Sequence, residues 1–213
     1  MHIAIFGANG ATGRLLTAQA LESGYSVTAL IRSPKTFPFR ERVRVVEGSA
    51  FDPVAVANTV VETDAVFTTL GAKSPFRNEN VLPRAVPVIV AAMQQSGVHR
   101  IIALGSAGAL ADSLKKQPAW RRFVVQKIIY NTALKWPVRE QIAQYQILSS
   151  SPLDWTMVLP PMLTNGPAKG SVRIDGEALP HLAHSISRAD VAAFMFRQLT
   201  NPEWVRKAVY LAG

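Results

Sequence analysis

The sequence predicts a single α/β domain with a doubly wound parallel sheet. Two observations carry that prediction. Short apolar runs alternate along the chain with segments of helical period, the pattern of βαβ units joined by right-handed crossovers. The first run also leads directly into a glycine-rich turn and a helix. A chain of 213 residues suits one domain, and no linker, internal repeat or low-complexity segment divides residues 1–213.

The elements follow in order. His2–Phe6 (HIAIF) is short and apolar, as expected of a strand buried on both faces. From Thr12 to Ser23, Leu15, Leu16, Ala18 and Leu21 recur at helical spacing, and Gly24 is placed to end the helix. Ser26–Ile31 supplies a second strand, Val43–Val46 a third and Ala65–Leu70 a fourth, with a helix from Pro53 to about Glu62 between the last two. Val81–Gln95 is a helix closed by Gly97, and Arg100–Leu104 is a fifth strand. A long helical region then spans about Trp120–Ser149, with an interruption expected at Pro137, which lacks a backbone donor. Trp155–Leu159 resumes as strand. Pro160–Pro180, rich in Pro and Gly, reads as an irregular loop with a short strand at Val172–Ile174. Ser187 and Asp190 form a capping-box-like S-x-x-D at the start of the last helix, and Ala208–Leu211 closes the chain as a strand.

Composition narrows the function. With 48% hydrophobic and 17% charged residues the chain can bury a core, so a disordered protein is excluded. No apolar run approaches the ~18 residues of a membrane span, and His2–Gly7 lacks the basic flank of a signal peptide, so a cytoplasmic location is expected. With no cysteine, neither a thiolate nucleophile nor sulfur-ligated zinc is available. His181 and His184 form an H-x-x-H, but no acid lies between Glu177 and Asp190 to complete a ligand set, and no metal is expected.

Gly7-Ala8-Asn9-Gly10-Ala11-Thr12-Gly13 is the most informative stretch. Placed between the first strand and first helix, its glycines let the backbone turn tightly and approach a pyrophosphate. The helix N-terminus then offers N–H groups and its dipole to the negative charge. The prediction is a Rossmann-type site for a nicotinamide dinucleotide, with Gly7, Asn9, Gly10, Ala11, Thr12 and Gly13 as binding residues. An NAD site usually places an acid about 20 residues on, for the ribose 2′-hydroxyl. Here no acid occurs between Glu22 and Glu41, and the second strand runs into Arg32 with Lys35 nearby. A guanidinium pairs with a 2′-phosphate that a carboxylate would repel, so NADP(H) is expected over NAD(H).

Ligands of such sheets lie at the carboxyl ends of the strands. Those ends carry Gly48-Ser49, Leu70-Gly71, Gly105-Ser106 and Pro160-Pro161-Met162. Ser106 is the best-placed polar group, able to bond the carboxamide of the cofactor or a substrate carbonyl, or simply to cap its own turn. It is the first catalytic candidate. Tyr145, in the long helical region, is the second, as a residue that could lean over the cofactor or simply pack against the domain. Arg188 and Asp190 sit in a first helical turn, where capping accounts for them.

The glycine turn, Arg32, Leu70-Gly71, Ser106-Ala107, Leu153-Asp154-Trp155, Pro160-Pro161 and Ile186–Met195 (ISRADVAAFM) together resemble the atypical short-chain dehydrogenase/reductases. Within them the chain is similar to the NAD(P)H-binding, NmrA-like family, and most to its biliverdin and flavin reductase branch. The resemblance covers nearly the whole chain and keeps the order of motifs. It implies NADPH and reduction of a conjugated small-molecule acceptor such as a flavin, a quinone or a linear tetrapyrrole. Pro161, Met162 and Arg77 would then contact the acceptor, with Lys73 beside Arg77, and Ser49, Leu70 and Gly71 would line the cofactor.

Two departures matter. Neither Tyr130 nor Tyr145 has a lysine four residues on, so the Tyr-x-x-x-Lys pair of carbonyl-reducing members is missing. Flat acceptors tolerate this, because hydride transfer to an extended ring can be followed by protonation from solvent. Met162 stands where the biliverdin and flavin reductase branch has a histidine, which argues against tetrapyrroles. Ser49 replaces a common Asp, which weakens the adenine contact. The competing reading is an NmrA-like sensor that binds NADP(H) without turnover.

The chain carries a net charge of +9. Lys115, Lys116, Arg121, Arg122, Lys127, Lys135 and Arg139 supply seven positive charges with no acid between Lys115 and Arg139, leaving 16 basic against 14 acidic residues elsewhere. This region, a basic helical insertion at about 112–140 relative to the biliverdin and flavin reductase branch, interleaves the cations with Trp120, Phe123, Val124, Ile128, Ile129 and Trp136. It reads as a helix with a solvated basic face, or as a weak contact for an anionic membrane or a protein. No nucleic-acid motif accompanies the charge, and no nucleic-acid partner is expected.

Overall fold

The computed structural model describes residues 1–72, 74 and 76–213. Among the described residues the strands are β1 (His2–Phe6), β2 (Ser26–Ile31), β3 (Arg44–Glu47), β4 (Ala65–Thr68), β5 (Arg100–Leu104), β6 (Asp154–Leu159), β7 (Met162–Thr164), β8 (Arg173–Asp175), β9 (Ser185–Ser187) and β10 (Lys207–Ala212). The helices are α1 (Ala11–Glu22), α2 (Pro53–Val60), α3 (Val81–Gln95), α4 (Ala119–Phe123), α5 (Lys135–Ser149) and α6 (Arg188–Arg197).

Eight strands form one sheet in the order β3-β2-β1-β4-β5-β6-β10-β8, and every neighbouring pair is parallel except β10 with β8. A parallel sheet needs cover on both faces, and β1 shows how its sequence meets that need. Successive side chains point to opposite faces, so Ile3 and Ile5 join the core under α1 and α6, while Ala4 and Phe6 join the core under α2, α3 and α5. All four are fully buried. The strand order reverses between β1 and β4, which opens the crevice that binds ligands in folds of this kind.

Two sequence expectations change. The long helical region breaks at Tyr130–Leu134, not at Pro137. Pro137 falls in the first turn of α5, where its missing N–H removes no helical bond. Pro160–Pro180 is less irregular than its composition implies, because β7 pairs in parallel with β9 and β8 lies along β10.

The S-x-x-D box forms as read. The Ser187 hydroxyl accepts from the Asp190 amide at 2.9 Å and donates to the Asp190 carboxylate at 2.7 Å. Asp190 reaches further than a cap: its carboxylate also accepts from the amides of Lys169 and Gly170, pinning the 165–170 loop to α6. Desolvation pushes its pKa up, but the Ser187 hydroxyl and the Gly170 and Lys169 amides outweigh it and hold the group below the usual carboxylate range. A depressed carboxyl stabilises the fold above its unfolded pKa, and that stability is lost as pH falls through the folded value. Asp190→Ala is therefore expected to cost about 1–3 kcal/mol at neutral pH, since it removes the charge-assisted bonds to the Ser187 hydroxyl and to the Lys169 and Gly170 amides. Urea midpoints should show the gap between wild type and variant closing as the medium is acidified below the ordinary Asp range.

Candidate cofactor and acceptor site

The site begins at the turn between β1 and α1. Gly7 has a φ of +82°, a left-handed conformation that glycine adopts without strain. It is also crowded: a Cβ there would stand 2.8 Å from Thr69 Oγ1 and 2.9 Å from the Thr69 carbonyl carbon. Thr69, just after β4, donates its hydroxyl toward the carbonyls of Phe6 and Gly7 and its amide to Phe6, so it fastens the turn to the sheet. Gly13 lies against the same turn, and a methyl there would overlap the Gly7 carbonyl oxygen and stand 2.7 Å from the Ala8 Cα.

Gly10 is the N-cap of α1 and brings no side chain to the helix end. The first-turn N–H groups, at Ala11, Thr12 and Gly13, have no partner within the helix and are available to an anion. The tight glycine turn and the uncapped helix end together fit a pyrophosphate.

Arg14 escaped the sequence reading. Its guanidinium donates to the Asn9 side-chain oxygen at 2.7 and 3.0 Å, to the Asn9 carbonyl and to the Thr36 carbonyl. Asn9 in turn donates to the Thr36 hydroxyl at 3.0 Å. These bonds tie the glycine turn to the loop after β2, which carries Arg32 and Lys35. Arg32 is exposed, and among the described residues it makes no hydrogen bond or ion pair. It directly follows Ile31, the last residue of β2. Ser49, at the end of β3, uses its hydroxyl to accept from the Phe51 amide at 3.2 Å. Leu70 and Gly71 follow β4, with Leu70 packed on the core below the crevice.

The other half of the crevice is built from the ends of β5 and β6. The Gly105 amide donates to Val158 at 2.7 Å and the Ala107 amide to Pro160 at 2.9 Å. Ser106 and Pro160–Met162 are thereby held side by side. The Ser106 backbone is extended and its side chain makes no cap, so the alternative of a serine serving only its own turn is not realised. Met162 is largely exposed at the start of β7. Arg77 is exposed in the loop after β4, and its partner in the sequence reading, Lys73, lies outside the described residues.

Tyr145 does not fit the role expected for it. Its ring packs edge-on against Trp155, centroids 5.8 Å apart. Trp155 is the second residue of β6, at the opposite end of that strand from Leu159 and the crevice. The apolar surface of Trp155 draws the tyrosine down into the core, away from the strand ends. The nearby polar group is Gln144, which donates to the Leu104 carbonyl at 3.0 Å.

An open cavity of about 470 Å³ adjoins the start of α1, where Ala11, Arg14 and Leu15 face the 165–167 loop and Arg188. Arg188 donates to Asn165 at 2.7 Å. The sequence places Arg188 only in a helix cap; its guanidinium also walls this cavity.

A doubly wound sheet with a glycine turn at its switch point and an uncapped helix beyond it defines a dinucleotide-binding Rossmann protein. Comparison with known proteins narrows the class. The model of a family described as NAD(P)H-binding matches residues 7–202, and the chain belongs to that family. Among solved structures, a short-chain dehydrogenase/reductase from Veillonella parvula in complex with NADP is 23% identical, with a TM-score of 0.82 over 100% of this chain and 94% of that one. The oxidoreductase ylbE from Lactococcus lactis is 21% identical, with a TM-score of 0.81 over 100% and 91%. ChuY from Escherichia coli O157:H7, described as an anaerobilin reductase, is 22% identical, with a TM-score of 0.79 over 100% and 97%. At these identities the three share the fold with this chain.

Proposed function

We propose that the protein is an NADPH-dependent oxidoreductase that passes hydride to a flat conjugated acceptor, a flavin or quinone in preference to a linear tetrapyrrole. The observation that carries the reading is the pairing of two features in one crevice: a glycine turn with no room for a side chain, and an uncommitted Ser106 hydroxyl beside exposed Met162. The NADP complex of the Veillonella protein and the reductase description of ChuY support it by likeness of fold.

NADPH, when bound, supplies the hydride. The chain's own residues do the rest. The first turn of α1 would hold the pyrophosphate, and Arg32 would hold the 2′-phosphate. Ser106 would donate to the carboxamide or to an acceptor carbonyl and so help to orient the two flat molecules. Pro161 and Met162 cover the acceptor face with apolar surface. Ser49, with its hydroxyl engaged in its own turn, would border the adenine. No side chain is required as acid, because the reduced acceptor takes its proton from water.

Steady-state NADPH oxidation with FMN, riboflavin, quinones and biliverdin as acceptors tests the reading. Turnover with a flavin or quinone is expected. Tight NADPH binding with no turnover on any acceptor would favour the sensor. Arg77→Glu is expected to raise the Michaelis constant for FMN about tenfold and to leave that for riboflavin unchanged, since only FMN carries a phosphate for the guanidinium to meet. Equal effects on the two flavins would remove Arg77 from the site.

A further inference from the structure

The helical segment of the basic insertion carries large apolar side chains on both its inner and its outer face. Arg121, Val125 and Tyr130 face the protein. Arg121 donates to Gln117 and to the Ala183 carbonyl, Val125 and Tyr130 pack on the core, and the Tyr130 ring meets Gly108, two residues after Ser106. The opposite face, along α4 and the π-helical segment Val124–Ile129 that continues it, carries the exposed side chains of Trp120, Phe123, Val124, Lys127 and Ile128. Trp120 is 70% exposed, Phe123 61% and Ile128 52%. A surface helix normally turns its apolar stripe toward the core, so large side chains gathered on the outer face point to a contact beyond the chain.

Charge decides what that contact is. Arg122 flanks the stripe, Lys127 lies within it, and Lys135 and Arg139 follow it; none forms an ion pair among the described residues. The last two lie over the Trp136 ring at 5.0 and 5.2 Å. A second copy of this chain meeting the stripe about a two-fold axis would bring two segments of like charge together. An anionic bilayer has the opposite sign and takes aromatic and aliphatic side chains into its acyl boundary. Among the described residues no helix is long and apolar enough to cross a membrane, so the segment would lie on the surface.

We propose that residues 119–129 form an interfacial helix that seats the protein on an anionic lipid surface, with Trp120, Phe123 and Ile128 in the acyl boundary and Arg122 and Lys127 at the headgroups. The inference rests on this face alone and is independent of the acceptor.

Flotation with vesicles of mixed phosphatidylcholine and phosphatidylglycerol tests it, with pure phosphatidylcholine as the control. The wild type is expected to float with the mixed vesicles only. Trp120→Ser with Phe123→Ser, and separately Arg122→Glu with Lys127→Glu, should each lower the partition coefficient about tenfold or more. NADPH affinity, unchanged in both, shows that the variants are folded. A measurement that needs no disruptive variant is quenching of tryptophan emission by brominated acyl chains, expected for wild type and lost in Trp120→Phe. Failure of the wild type to float, double variants that float like wild type, or quenching that persists in Trp120→Phe would each overturn the proposal. A dimer abolished by Trp120→Ser with Phe123→Ser would overturn it in favour of a second copy.

Discussion

Gly13→Ala is expected to weaken NADPH binding between tenfold and a hundredfold. The sign of this effect is diagnostic. Gly13 lies within α1, where alanine is favoured over glycine by about 1 kcal/mol, and its φ is not in the left-handed region. Propensity alone therefore makes the substitution stabilising. Space reverses that expectation. The new methyl would overlap the Gly7 carbonyl oxygen and approach the Ala8 Cα to 2.7 Å, backbone atoms that cannot swing aside. Overpacking of this kind costs about 1–3 kcal/mol, and here relief comes only by moving the turn that receives the pyrophosphate. Gly10→Ala is the comparison, because its methyl would stand 3.2 Å from the same oxygen and a small shift accommodates it. Titration of cofactor fluorescence should rank the three proteins wild type, Gly10→Ala, Gly13→Ala. A Gly13→Ala protein that binds as wild type does would mean that the turn does not carry the pyrophosphate.

Arg32→Ala is expected to cost NADPH about 1.5–3 kcal/mol of charged hydrogen bonding, a loss on the order of tenfold to a hundredfold, and to leave NADH affinity unchanged. Arg32 is exposed and has no partner to lose among the described residues, so the substitution should not disturb the fold. The neighbouring Arg14 is a different case. Its guanidinium is spent on Asn9 and Thr36, and removing it would loosen the glycine turn for both cofactors. The two arginines are thus separable by the ratio of NADPH to NADH affinity, measured by calorimetry. Equal wild-type dissociation constants for NADPH and NADH would refute the assignment of Arg32.

What the sequence made legible was local in origin. A glycine triplet between an apolar run and a helical run is a short-range pattern, and β1, the turn and α1 form where it placed them. The S-x-x-D box at Ser187 and Asp190 is of the same kind. Arg14 was not legible because its role depends on Thr36, 22 residues on, brought close only when β2 lies beside β1. Asp190 likewise reaches Lys169 and Gly170 across a loop that composition marked as irregular. Tyr145 was misplaced for a related reason: helical phase gives the face but not the neighbour, and Trp155 rather than the crevice lay beneath it. Pro137 was read as a break because a proline's position within a helix decides its effect, and that position is set by where the preceding turn ends.

Rapid anaerobic mixing of the NADPH-loaded protein with FMN tests hydride transfer in this crevice most directly. The expected result is loss of NADPH absorbance in step with flavin bleaching, one equivalent for one, on the enzyme and not in its absence. NADPH that stays bound and reduced in the presence of FMN, and equally of a quinone, would contradict a reductase and leave a protein that only binds the dinucleotide.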